Sequence, residues 1–193
     1  MSPAESGIMN QLVRTIEIAV YHCANVIRVV FAISIVMAAL GWGIRGLAAG
    51  PIEDANRAFE RGDYATALKV LSALAVRGVA EARYELGYMH YSGAGVPQDY
   101  TEAAKWYRLA ADQGFAEAQH DLGIMYLNGQ GVPQDYVRAH MWLNLAASQI
   151  PASKRTERDS AVKARDSVAS KMTPEQIAEA QRLAHDWSSK QRQ

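Results

Sequence analysis

Residues 86–113 read LGYMHYSGAGVPQDYTEAAKWYRLAADQ, and residues 122–149 read LGIMYLNGQGVPQDYVRAHMWLNLAASQ. The two stretches are offset by 36 residues and agree at 16 of 28 positions. The shared phrase holds Gly87, Gly93, Gly95, Asp99 and Trp106 in the first copy, and Gly123, Gly129, Gly131, Asp135 and Trp142 in the second. A fixed period of this length marks a solenoid, whose units cannot bury their apolar faces without a neighbour. Stacked arrays present surface rather than chemistry, so the repeat points to binding.

Each copy reads as helix, loop, helix. In the first, residues 80–91 form a helix that stacks Ala82, Leu86, Gly87 and His90 on one face, and the second repeats that face as Ala118, Leu122, Gly123 and Tyr126. A glycine inside a helix costs about 1 kcal/mol relative to alanine, which is tolerable where the next helix crosses directly over it. The link carries two glycines that permit positive φ, then Val-Pro, which forces extended geometry. Asp99 is the N-cap of the second helix, with Glu102 placed to complete a capping box; Asp135 keeps the cap while Arg138 replaces the glutamate. Gly78 and Gly114 stand where a second helix ends.

A third, atypical copy precedes these. Asp63-Tyr64 and Ala67 lie 36 residues before Asp99-Tyr100 and Ala103, although its first helix, about 52–60, lacks the Gly-x-Gly loop. Terminal units are expected to be atypical, and three units are about the minimum for a stable stack. After Ile150-Pro151, a charged helix near 154–170 presents Val162, Val168 and Met172. A last helix opens at Thr173-Pro174-Glu175-Gln176, with threonine as N-cap and proline at the first position, and carries Ile177, Ala180, Ala184 and Trp187 on one face. The expected divisions are 1–49, a leading segment; 50–79, the atypical unit; 80–115 and 116–150, the two full units; and 151–193, capping helices.

Residues 29–44 are uncharged and apolar between Arg28 and Arg45. Extended to Ala49 the run reaches about 20 residues, enough to span a bilayer if Arg45 snorkels. Before it, Ile8, Leu12, Ile16, Ala19, Cys23 and Val26 fall at helical spacing, which suits an amphipathic helix leading into an anchor. A cleaved signal ending at Ala48-Ala49-Gly50 is the competing reading, and a buried hairpin over 8–48 is a third. Flanking arginines lie on both sides, so orientation is not set by charge.

Lys+Arg and Asp+Glu are equal at 20 each, so the net charge gives no reason to expect nucleic acid. The charge is unevenly placed, with 8 basic and 12 acidic residues over 51–150 and 9 and 6 over 151–193. Cys23 is the single cysteine, so no internal disulfide can form. The five histidines, His22, His90, His120, His140 and His185, show no metal-ligand spacing. His90 reads as a core-face imidazole, and His120 and His140 read as surface. No nucleophile elbow or phosphate-binding loop is present, and the Gly-x-Gly links are followed by an acidic cap that would repel an anion. No catalytic residue, cofactor, metal or small-molecule substrate is expected.

The phrase running from Leu86-Gly87 through Gly93-x-Gly95-Val96-Pro97-Gln98-Asp99-Tyr100 to Trp106 and Ala110-Ala111 resembles the Sel1-like repeat, a relative of the tetratricopeptide repeat with a longer interhelical loop. The ending from Met172 to Trp187 is similar to the closing segment of many bacterial members. The resemblance covers 80–149 well, 52–79 fairly and the remainder in part, with His90 and Ile150 as departures. It implies an all-α, right-handed α-α solenoid of about three repeats with a C-terminal helical cap, preceded here by an apolar anchor or signal helix. It also implies an adaptor role in envelope, secretion or signalling assemblies, without activity or cofactor; with the apolar segment the expected location is the bacterial envelope, either inner-membrane anchored with periplasmic repeats or exported to the periplasm. First helices line the concave side of such arrays. Arg83, Tyr84, Tyr88 and Met89 of one unit, with Gln119, His120, Ile124 and Met125 of the next, are therefore the expected contacts for another protein or peptide, and residues 29–49 for a membrane. Trp106 and Trp142 are expected to pack between helices.

Overall fold

The computed structural model describes residues 50–191, and all regular structure among them is helical. Helix α1 covers 50–60. It is followed by α2 (Tyr64–Val76), α3 (Ala80–Ser92), α4 (Tyr100–Ala111), α5 (Ala116–Asn128), α6 (Tyr136–Gln149), α7 (Arg155–Ala169) and α8 (Pro174–Gln191). From α2 to α7 each helix packs on the next, whereas α8 turns back onto α6. The anchor, signal and hairpin readings of 1–49 lie outside the described residues. No helix among the described residues is long and apolar enough to cross a membrane.

The repeated phrase builds the same joint each time. Gly93 and Gly129 end α3 and α5 in the left-handed region, at φ +75° and +69°. The motif glutamines then return to the helix they follow: Gln98 Nε2 donates to the Tyr91 carbonyl at 2.9 Å, and Gln134 Nε2 to Leu127 at 2.7 Å. These bonds satisfy carbonyls that a helix end leaves without partners. Asp63, Asp99 and Asp135 cap α2, α4 and α6 by accepting backbone N–H bonds from Thr66, from Thr101 and Glu102, and from Arg138.

The capping box expected at Glu102 does not close. The Asp99 N–H already donates to the His90 carbonyl at 2.9 Å, so Glu102 turns to Lys105 instead. The Asp135 N–H is likewise given to Tyr126, which explains why Arg138 is acceptable in the box position. Thermal unfolding followed by circular dichroism should therefore show a lower Tm for Asp99→Ala and no change for Glu102→Ala. At Thr173 the box does close, through Thr173 N–H to Gln176 Oε1 (2.9 Å) and Gln176 N–H to Thr173 Oγ1 (3.3 Å).

The second glycine of each link meets the preceding unit. A Cβ at Gly95 would overlap Tyr64 Cβ at the start of α2, and one at Gly131 would overlap the Tyr100 carbonyl at the start of α4. Within the helices, a Cβ at Gly87 would lie 2.5 Å from Tyr107 Cδ1 and one at Gly123 2.7 Å from Leu143 Cγ, so the expected close crossing is present in both units.

One apolar core joins α4, α5 and α6 to α7 and α8 around Tyr107, Leu122, Met125, Trp142 and Leu143, and a second joins α1, α2 and α3 around Leu71, Leu86 and Met89. Ile150 is buried with Ala116, Ala146 and Ala161, and so fills the position where the repeat would have placed a glycine.

Candidate functional site

Two adjoining cavities open along the face made by the first helices α3 and α5 and by α7. The smaller, about 250 Å³, is bounded by Tyr84, Tyr88 and Tyr91 of α3, Tyr107 of α4, and Asp121, Ile124 and Met125 of α5. The larger, about 420 Å³, is bounded by Tyr84, by Glu117, His120 and Asp121, by Ile150, and by Thr156, Glu157 and Ser160 of α7. Tyr84 and Asp121 border both, so the two form one groove with an aromatic end and an acidic end.

The aromatic end is held by ring packing within the unit 80–115 and by one contact to the unit before it. The Tyr84 ring lies 5.5 Å from Tyr107 and 5.2 Å from Phe115, Tyr91 lies 5.2 Å from Tyr100, and Tyr88 lies 5.8 Å from Phe59. Burial and then the Asp121 and Glu85 charges push the Tyr84 phenol above its ordinary range, so it remains a protonated donor at neutral pH. His120 Nδ1 lies 2.9 Å from Asp121 Oδ1, while its buried Nε2 meets no partner. Burial pushes the Glu117 carboxyl up, but the hydrogen bond and charge of Lys154 outweigh it and hold Glu117 below the usual carboxylate range.

Beside the groove, burial and then the Glu81 charge push the Glu85 carboxyl up. An acid whose pKa is raised by folding binds more protons folded than unfolded between its ordinary and raised values, so stability falls as pH rises through that window. Glu85→Gln should therefore raise Tm at neutral pH, and the gain should vanish below the ordinary carboxylate range in a Tm series against pH.

Of the eight expected contact residues, the groove brings together Tyr84, Tyr88, His120 and Ile124. The other four have structural places. Met89 and Met125 are buried in the cores, although Met125 also floors the smaller cavity. Gln119 is buried and donates from Nε2 to the Ala111 carbonyl at 3.2 Å. Arg83, 36 residues earlier, does the same from Nε to Ala75 at 3.1 Å and reaches Leu109 as well. Both side chains tie a first helix to the end of the preceding second helix. His140, expected at the surface, is buried, whereas His90 is only half-buried and Met89 beside it is fully buried. Sequence reasoning missed Tyr91, Tyr107 and Asp121. Tyr107 sits at the position taken by Leu143 in the next unit, and both are buried where a helical glycine of the first helix is crossed.

Among the described residues no cluster of His, Cys, Asp or Glu could hold a metal ion. Trp142 is buried between α6 and α8, in edge contact with Trp187 at 6.0 Å, and Trp106 is partly buried against the α1–α3 core.

The fold and the groove thus define a helical-repeat protein with a side-chain-lined face and no metal cluster among the described residues. Residues 80–115 and 116–150 match the Sel1 repeat family, so the chain carries two Sel1 repeats, and its structural relatives are Sel1-repeat proteins. One is a protective antigen present in uropathogenic Escherichia coli strains and displaying an SLR fold, at 28% identity and a TM-score of 0.66, over 72% of this chain and 29% of that one. Another is a Sel1 repeat protein from Oxalobacter formigenes, at 30% identity and a TM-score of 0.50, over 55% of this chain and 44% of that one. The chain therefore spans less than half the length of either. No curated protein matches it significantly. Sel1 repeats are in general non-catalytic scaffolds for protein–protein interaction.

Proposed function

We propose that the chain is a non-catalytic adaptor that binds a segment of another protein along the groove of α3, α5 and α7. The observation that carries this reading is the pair of adjoining cavities lined by side chains that differ between units, set on joints that are the same between units. A fixed frame with variable lining is how a repeat array acquires a specific partner. In this reading the first helices form the concave side of a right-handed superhelix, 50–79 is its atypical first unit, and α7 and α8 close its end.

In this reading the apolar run 29–49 anchors the chain at a bacterial inner membrane with its repeats in the periplasm, or is cleaved on export to the periplasm. Fractionation with N-terminal sequencing tests this, and a soluble form beginning near Gly50 would sink the anchor. A second reading, favoured by the same run, makes the chain a structural subunit that docks through its N-terminal helix.

Charge substitutions at exposed Tyr88 and half-buried Ile124 separate the two. Tyr88→Asp and Ile124→Asp should each abolish capture of native partners by affinity purification while leaving the helical circular dichroism signal intact. If capture persists in both and is lost on deleting 1–48, the groove reading is wrong and the docking reading stands.

A further inference from the structure

We infer that the smaller cavity receives the basic side chain of the partner segment, arginine before lysine. The inference rests on the groove reading above and names what that groove recognises. Four tyrosines and one carboxylate converge on a space of about 250 Å³. That lies under the roughly 300–1,000 Å³ usual for a site that encloses a free small molecule, and it suits one side chain projecting from a larger partner. Tyrosine faces attract a cation through their ring quadrupoles, and the attraction strengthens where water is excluded.

The charges around the cavity select the sign of the guest. Asp121 stands in the wall shared with the larger cavity, with the His120 imidazole 2.9 Å from it; Glu157 adds a further carboxylate there, while Glu117 is paired with Lys154. Lys154 is engaged by Glu117 at 2.6 Å, and Arg83 is turned away to the Ala75 and Leu109 carbonyls. An anionic guest would meet repulsion, and an apolar guest would strip water from Asp121 without replacing its hydrogen bonds. A guanidinium does neither: its plane stacks on a tyrosine ring while its edge gives a carboxylate two parallel N–H bonds. The Tyr84 phenol is raised by burial and then by the Asp121 charge, as expected for a ring enclosed beside that carboxylate. Contacts of Tyr84 with Phe115, Tyr88 with Phe59 and Tyr91 with Tyr100 hold the rings in place before any guest arrives, which lowers the ordering cost of binding.

The test uses the full chain with ¹³C-labelled tyrosine rings, titrated with N-acetyl-arginine methylamide and with its neutral isostere N-acetyl-citrulline methylamide. Saturable shifts at Tyr84, Tyr88, Tyr91 and Tyr107 are expected with the arginine probe only. Asp121→Asn should weaken that binding about tenfold. Because Asp121 is half-buried, Tyr88→Ala at the exposed rim serves as a second variant and should weaken binding about threefold, with Tyr88→Phe retaining it. Equal shifts with citrulline, absence of shifts at these rings, or binding indifferent to both Asp121→Asn and Tyr88→Ala would each overturn the inference. Its failure is separable from failure of the groove reading: a captured partner that cross-links to Ile124 yet binds equally well after its arginines and lysines are neutralised retains the groove and removes the cation site.

Discussion

Gly131→Ala is expected to lower folding stability by about 3 kcal/mol or more, while Gly129→Ala, two residues earlier in the same loop, lowers it by about 1 kcal/mol. Both glycines have positive φ, +66° and +69°, so both alanines carry the strain of the left-handed region. Surroundings separate them. The nearest atom to a Cβ at Gly129 is Gln134 Cβ at 3.4 Å, and that exposed side chain can yield. A Cβ at Gly131 would overlap the Tyr100 carbonyl and come within 2.6 Å of the Thr101 nitrogen, and these are backbone atoms at the capped start of α4. Relief requires the loop to lift off α4, which opens the joint between the two units. Urea unfolding of both variants would measure the difference, and similar losses would show that the joint does not depend on close backbone approach.

Trp142→Ala is expected to cost about 3–5 kcal/mol, and Trp106→Ala, at the matching repeat position, about half as much. The two residues share a place in the sequence pattern but not a neighbour. Trp142 is covered by α8, with the Trp187 ring against its edge and the Arg108 guanidinium 5.4 Å from its centre. Over α4 nothing among the described residues takes the place of α8, and the companions of the two tryptophans show the consequence: Leu145 is 2% exposed and Leu109 is 42% exposed. The same comparison of urea midpoints decides it. Equal losses would mean that α8 adds little to the third unit.

Much of the helical frame was legible because its determinants are local. Asp99, Gly93 and Thr173 act within a few residues of themselves, and each caps or ends its helix as the spacing indicates. The core face of α3 was legible except at one place. Met89 lies seven residues after Ala82, about 20° away on a helix of 3.6 residues per turn, whereas His90 lies about 80° away. Met89 and Met125 therefore fall on the core face, and in α5 the larger Tyr126 at the wider angle is buried as well.

The groove was half legible, for a different reason. Side chains that vary between units suggested partner choice, yet Arg83 and Gln119 differ in identity while making the same bond to Ala75 and Ala111. Any donor long enough to reach that carbonyl serves, so variation there reports chemical equivalence. Tyr107 and Asp121 became site residues only when α3, α4 and α5 came together, which is long-range information that no window of sequence contains.

The joint at Gly131 has a consequence for how such a chain can lengthen. The first two units each offer an Asp-Tyr helix start on which the next unit's second glycine rests, and the two full units, 80–115 and 116–150, each supply that glycine. A duplicated 36-residue cassette inserted at Gly114 would find both halves of its contacts already made, and would extend the groove without redesign of either neighbour. The same insertion after Ile150 would part α6 from α8, whose Trp187 and Gln191 reach back to Trp142 and Asp112. The array is therefore expected to accept a cassette between its full units and to reject one between α6 and α8.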